Sequence, residues 1–336
     1  LQYCADPTRI VYYLHAWDNL HAGNWNGMRQ LAAKKSKKEI KWWVYGVAEN
    51  TSGTIFVKWQ RAAHVRPVNR LPRKGTWYHV ADPCDGKRNW MLGWFKVSPL
   101  GEHFLAREWP QERDAIPGVG DPGPWAVVSK TRNHDGDAGP AQISFGGGFN
   151  FIRDEIERVE MELGRLEWEL GGKVGEPQRI DVACRIMDAR AGNTESLQNS
   201  VAKTLIESMA EPYTVLATGE VKPGLEYISA GRDSGAQAGS GLIEHGYKMI
   251  GDLLYYDEEL AELDPATGLL NFRGDAPKLF VAESCTNAIF SFENLTGLDG
   301  LRGACKDPMD MIRYYVIADP MDVSGQQWKA SGGGYY

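Results

Sequence analysis

No two of the five cysteines (Cys4, Cys84, Cys184, Cys285 and Cys305) stand at Cys-x-x-Cys spacing, and their number is odd. That pattern argues against a disulfide framework and against a cysteine-ligated zinc site, and it fits a reducing cytoplasm. Long apolar runs are missing too, since none approaches the roughly 20 residues of a membrane-spanning helix. No charged segment followed by an apolar core opens the chain, so a secretory leader is not expected. A phosphate-binding loop of the form Gly-x-x-x-x-Gly-Lys-Ser/Thr is also lacking. The Gly-Lys pairs, Gly86-Lys87 and Gly172-Lys173, are followed by Arg88 and Val174, which speaks against a nucleotide-driven motor. Basic charge is in deficit: 37 Lys and Arg against 44 Asp and Glu give a net charge of −7. A module that holds nucleic acid by charge alone carries a basic excess, so that class is disfavoured.

With 336 residues, 43% of them hydrophobic, the chain can bury a substantial core, as one large domain with an appendage. Residues 1–70 read as a separate leading segment. It holds a lysine-rich stretch, Ala33–Lys41, then the apolar Trp42–Tyr45 and a strand over Gly53–Trp59. Residues 71–322 read as one α/β domain, and 323–336 as a mobile tail. Within the domain, Thr76–Asp82, Trp90–Ser98 and Glu102–Trp109 are short runs separated by Asp-Pro, Asp-Gly and Ser-Pro-Leu-Gly signals, the pattern of an antiparallel meander. Residues 111–150, rich in Gly, Pro, Asp and Asn, read as a long loop. Its Asn133–Gly139 run lacks the later ligands and closing Glu of a calcium loop.

Ile152, Ile156, Val159, Leu163, Leu166 and Leu170 mark one helix stripe that lies on the sheet. A buried strand over Ile180–Asp188, a helix over about 195–210 and a strand over Tyr213–Ala217 follow. This order implies a right-handed crossover with parallel pairing, and so a mixed sheet flanked by helices. Gly231–Gly241 reads as a flexible stretch, Leu242–Leu253 as a helix, Lys278–Ala282 as a strand and Asn287–Leu295 as a short helix. A last helix begins at Pro308, with Asp307 as its N-cap.

Three aspartates carry the chemistry. Asp82 and Asp188 end strands and Asp310 lies in the first turn of the last helix, places from which carboxylates converge at one sheet edge. Oxygen donors suit Mg²⁺ or Mn²⁺, and two such ions bridged by shared aspartates activate water and stabilise a leaving alkoxide in phosphodiester cleavage. A strand-end Asp taken alone is more often a turn former, so the weight rests on the three together. Asp307 has the capping role, which leaves Asp310 without a structural need to be acidic. Lys87, Arg88 and Arg190 lie near Asp82 and Asp188 in sequence and are candidates for DNA phosphate contact.

On Tyr78-His-Val-Ala-Asp-Pro with the following Trp90-Met-Leu-Gly-Trp and Phe104-Leu-Ala-Arg-Glu-Trp, on Ile186-Met-Asp-Ala-Arg-Ala-Gly, on Pro277-Lys-Leu-Phe-Val-Ala-Glu-Ser-Cys-Thr-Asn-Ala-Ile and on Asp307-Pro-Met-Asp-Met-Ile-Arg-Tyr, residues 75–320 resemble the nuclease domain of the large terminase subunit of tailed bacteriophages. The resemblance implies a ribonuclease H-like fold and a metal-dependent endonuclease that cuts concatemeric viral DNA during genome packaging. By it Asp82 bridges two Mg²⁺ or Mn²⁺ ions, Asp188 and Asp310 hold one each, and Asp307 stands where an auxiliary residue is often His. It further implies double-stranded DNA as substrate, the portal protein and small terminase subunit as partners, and the host cytoplasm, transiently at the procapsid, as location. Residues 1–70, through Ala16–Asn19 and Val44–Asn50, resemble the end of the terminase ATPase domain. Asp307 in place of His and the length of 111–150 depart from the pattern. The alternative is a non-catalytic docking module of a packaging motor, binding portal or small subunit. Ala62-Ala-His64 and Asp233-Ser-Gly235 echo a serine protease, but the stripe at 152–170 is wrong for a double β-barrel.

Overall fold

Short alternating runs bracketed by turn residues fold here into a single sheet, with amphipathic helices laid on both of its faces. The computed structural model describes residues 55–83, 90–111, 149–171, 175–192, 204–215, 218–230, 240–295 and 306–324. The chain divides into the units Leu1–Thr54 and Ile55–Tyr336, and every described residue belongs to the second.

A one-turn helix, α1 (Arg61–His64), runs into the edge strand β1 (Val65–Arg66). The meander follows as β2 (Thr76–Asp82), β3 (Met91–Val97) and β4 (His103–Trp109). The long α2 (Phe149–Gly171) leads to β5 (Val182–Met187) and two short helices, α3 (Ala189–Gly192) and α4 (Leu205–Ala210). A small hairpin of β6 (Tyr213–Thr214) and β7 (Val221–Lys222) precedes β8 (Ile228–Ser229) and helix α5 (Ser240–Leu253). A second hairpin, β9 (Ala261–Leu263) with β10 (Leu270–Phe272), comes before β11 (Leu279–Ala282), α6 (Thr286–Asn294) and the last helix, α7 (Lys306–Ile317). Seven strands form the central sheet in the order β1-β11-β4-β3-β2-β5-β8. Strand β3 is antiparallel to both neighbours and every other pair is parallel. The fold is therefore α/β with a mixed sheet, and β3 at its centre is buried along its whole length.

Side chains alternate across the sheet, and the two faces are filled differently. Helix α2 turns Ile152, Ile156, Val159 and Leu163 inward, and its acids reach the sheet between them. Trp77 Nε1 donates to Glu167 Oε1 at 2.9 Å and Trp109 Nε1 to Glu155 Oε2 at 2.9 Å. Glu160, with no exposed surface, receives a bidentate pair of bonds from Arg185 of β5 at 2.6 and 3.0 Å, and a bond from Arg179 Nε at 2.7 Å. Helix α7 covers the opposite face through Met311, Ile312 and Tyr315, and the Tyr315 ring stacks on Phe95 of β3 with centroids 3.7 Å apart.

Three sequence expectations are corrected. The described part of the expected strand over 53–59 is a turn, in which the Trp59 N–H donates to Phe56 O at 3.1 Å. Phe56 and Trp59 both pack on Phe292, with centroids 5.2 and 4.1 Å away. A strand would send residues three apart to opposite faces. Tyr213–Thr214 does not join the central sheet; it pairs antiparallel with Val221–Lys222. Gly219, at φ +72°, lets the chain reverse there, so the parallel place beside β5 falls to β8. The last helix starts at Lys306, which puts Asp307 in its first turn rather than at the N-cap. Pro308 is accommodated because first-turn N–H groups have no intrahelical partner. The hairpin β9–β10 was not anticipated. The expected long loop lies outside the described residues over 112–148 and becomes helix at Phe149; residues 1–54, the Gly-Ser stretch 231–239, most of the helix expected over 195–210 and the tail beyond 324 also lie outside them.

Two predictions test this scaffold. Replacing Glu160 with Ala leaves the guanidinium of Arg185 unpaired against the sheet, and breaking such a pair from one side should lower unfolding stability by about 3 kcal/mol in a urea titration. The second concerns Glu108 at the end of β4, whose carboxylate accepts the N–H groups of Asn287 at 2.7 Å and Ala288 at 2.9 Å and so caps α6. Burial pushes its carboxyl up to about 8, against the pull of those two N–H groups and of Arg107. A raised carboxyl pKa contributes stability that is complete below the ordinary value of 4.5 and is lost as pH rises through the folded value. Stability should thus fall between about pH 4.5 and 8, and Glu108→Gln should flatten that part of the curve, measured as denaturation midpoint against pH.

Candidate functional site

Strands β2 and β5 run parallel and side by side, with Ala81 level with Met187. Their ends therefore lie at one sheet edge, where the Asp188 N–H donates to Ala81 O at 3.3 Å. Alternation along β2 puts Tyr78, Val80 and Asp82 on one face, and Tyr78 meets Tyr315 edge-on at 6.3 Å, so this is the face that α7 covers. Asp188 also starts α3, its carbonyl accepting the Gly192 N–H at 2.8 Å.

Helix α7 crosses β2, β3 and β5. A Cβ at Gly93 of β3 would sit 2.4 Å from Met311 Sδ, and one at Gly246 of α5 would sit 2.4 Å from Arg313 Cγ. Two glycines thus let the helix lie between the sheet and α5. The Tyr315 hydroxyl shares a hydrogen bond with His103 Nδ1 of β4 at 2.7 Å. So fixed, α7 presents Asp310, 2% exposed, toward the ends of β2 and β5. Lys306, four residues earlier, puts Nζ 2.6 Å from Asp310 Oδ2. Arg313, three residues later, donates to Oδ1 from Nε at 3.2 Å and Nη2 at 2.9 Å. Those spacings place all three on one helix face.

The acids feel one another. The Asp82 carboxyl is pushed well above the ordinary range, first by burial and then by the negative charges of Asp310, Asp307 and Asp188, while Lys306 pulls it back. Burial, with Asp82, Asp310 and Asp188 behind it, likewise pushes the Tyr314 hydroxyl far up. All four acids named from sequence are therefore brought into one region, with Asp82 at its centre. Oxygen donors with a surplus of negative charge suit a hard divalent cation in chemical type. Among the described residues, no three Asp, Glu, His or Cys side chains stand where they could already hold a metal ion.

Of the DNA-contact candidates, Lys87 and Arg88 lie outside the described residues, and Arg190 is placed in α3 by its backbone while its side chain lies outside them. Sequence reasoning missed Lys306, Arg313 and Tyr314. Their signal was present as i−4, i+3 and i+4 spacing around Asp310.

An Asp whose folded pKa is raised contributes stability only below its unfolded value and loses it as pH rises, so ionised Asp82 opposes folding at neutral pH. Asp82→Asn should therefore raise the thermal midpoint at pH 7. Repeating the melt near pH 3, where the carboxyl is protonated in both states, should show little difference; a lower midpoint at pH 7 would contradict the placement of Asp82 among like charges.

Compared with models of protein families, with curated proteins and with solved structures, the chain matches none of them.

Proposed function

We propose that the protein is a metal-dependent DNA endonuclease of ribonuclease H-like fold, akin to the nuclease domain of phage large terminase subunits. The convergence of Asp82 with Asp188, Asp307 and Asp310 at one sheet edge carries this reading. Support comes also from topology: three antiparallel strands β2 to β4, then β5 and β8 parallel on the other side of β2, and a final acid-bearing helix across their ends. That arrangement is compatible with the ribonuclease H-like class.

Mg²⁺ or Mn²⁺ would be held by Asp82, Asp188 and Asp310, with Asp307 auxiliary; bound there it supplies an activated water and a counter-charge for the leaving oxygen. Asp82 contributes the central carboxylate, whose ionisation a cation would favour. Asp188 contributes from a helix start fixed to β2. Asp310 contributes only after Lys306 releases Oδ2, while Arg313 keeps hold of Oδ1 and so of the carboxylate's orientation. The substrate in this reading is concatemeric viral DNA, cut in the host cytoplasm at the procapsid with portal protein and small subunit as partners.

A second reading, the non-catalytic docking module, is favoured by one observation: both oxygens of Asp310 are engaged by cations of its own helix. The two separate in a plasmid assay. With Mn²⁺ or Mg²⁺, supercoiled plasmid should become nicked and linear, and EDTA should abolish this. Asp188→Asn and Asp310→Asn should each lower the rate by on the order of 10³, equivalent to about 4 kcal/mol of barrier, with folding retained by circular dichroism. Intact plasmid at high protein concentration, or equal and mild effects of Asp307→Asn and Asp310→Asn, would sink the nuclease reading.

A further inference from the structure

On a chain of net charge −7, the stretch from Lys58 to Lys74 holds six cationic side chains (Lys58, Arg61, Arg66, Arg70, Arg73 and Lys74) and no carboxylate. Two of the six are neutralised at a distance in sequence, Lys58 by Glu258 at 2.6 Å and Arg61 by Glu293. Among the described residues no carboxylate pairs with the other four. Arg66 ends the edge strand β1, and its Nη1 donates to the carbonyls of Ala62 and Val65, both at 2.9 Å, while its guanidinium lies over the Phe280 ring at 5.1 Å. Backbone bonds and a ring hold that guanidinium in place without satisfying its charge. Arg70 is close enough that its like charge, after burial, pulls the Arg66 pKa down. Two clefts, of about 260 Å³ and 480 Å³, are both bordered by Arg66 and Arg70. Carboxylates border both clefts, Asp264 and Glu102 the first and Glu283 the second, and the first two are oriented by bonds within their own turns. Asp264 accepts from Ala266 N at 2.9 Å and Thr267 Oγ1 at 2.8 Å, and Glu102 from Ser98 Oγ at 3.2 Å.

We infer that Arg66, Arg70, Arg73 and Lys74 form a metal-independent track for the phosphates of a nucleic-acid backbone, running from the edge strand β1 to the segment that enters β2 beside β3. The ligand class follows from the donors: a guanidinium held by backbone carbonyls and an aromatic face, with further cations beside it, is built for oxyanions. Polymer is favoured over a small phosphate because the cations continue past the clefts to Arg73 and Lys74, both exposed. Strand β1 lies four strand spacings from β2, about 19 Å, so only an extended ligand could touch this edge and the acids together. The inference takes its polymer, DNA, from the proposed function but does not depend on cleavage. It also gives the acidic chain a way to hold DNA that its net charge does not suggest.

The test measures binding of a fluorescent 30-base-pair duplex in EDTA between 50 and 200 mM salt, for the wild type and Arg66→Gln/Arg70→Gln/Arg73→Gln. Each lost phosphate contact removes about 0.9 from the slope of log affinity against log salt. The variant should therefore bind at least tenfold more weakly at about 100 mM salt, with a slope smaller by about 3. Since Arg66 supports local backbone, the exposed pair Arg70→Glu/Lys74→Glu serves as a second variant and should weaken binding likewise. Wild-type affinity and slope in both variants would overturn the track, as would a wild type that fails to bind duplex at low salt. Displacement of duplex by inorganic phosphate where chloride of equal ionic strength has no effect would overturn the polymer in favour of a small-anion pocket. Cleavage with Mn²⁺ is read in parallel. Binding without cleavage supports the track and removes the nuclease reading, whereas cleavage with unaltered variant binding does the reverse.

Discussion

Everything at the sheet edge depends on how closely the last helix can approach β3. Gly93 leaves room for the contact: a Cβ there would meet the Met311 side chain, which would have to move for α7 to keep its place over β3. The stack of Phe95 on Tyr315 and the hydrogen bond between Tyr315 and His103 fix the height of α7 once it is seated, and Gly246 lets α5 close over it from outside. Packing at this density transmits displacement rather than absorbing it. Placement of one carboxylate is thereby delegated to apolar contacts and two missing side chains.

The two faces of the sheet divide the labour. On the α2 face, charge and hydrogen-bonding capacity are consumed: Glu160 is closed off by Arg179 and Arg185, Glu167 by Trp77 and Lys96, Glu155 by Trp109 and Arg158. Those acids hold the scaffold together and suit a structural role. Across the sheet, the acids gather around Asp82, which is held where its charge is unwelcome. Concentrated like charge is a common mark of functional positions.

Much of this was legible in sequence because the relevant signals are local. The meander β2–β4 announces itself by runs of the right length between turn residues, and Thr76–Asp82 and His103–Trp109 fall where the pattern puts them. The stripe from Ile152 to Leu170 needs only the helical period. Asp82 and Asp188 follow from their strand ends, since parallel neighbours finish at the same edge. What could not be read is set by non-local partners. Ile55–Trp59 has strand-like composition, yet the shared contact of Phe56 and Trp59 with Phe292 bends it. Tyr213–Thr214 and Ile228–Ser229 are both two-residue strands, and a Gly219 turn decides which one joins the sheet. The engagement of Asp310 by Lys306 and Arg313 was visible as spacing, but burial decides that these side chains face one another rather than water.

Lys306 has a consequence for the life of the molecule. An acidic centre assembled by packing alone would push its own walls apart until a cation arrived, tying completion of the fold to the local supply of that ion. Here a tethered ammonium sits against the buried Asp310 carboxylate, an internal counter-ion that travels with the polypeptide. Such a chain does not depend on a bound cation to balance that carboxylate while it folds.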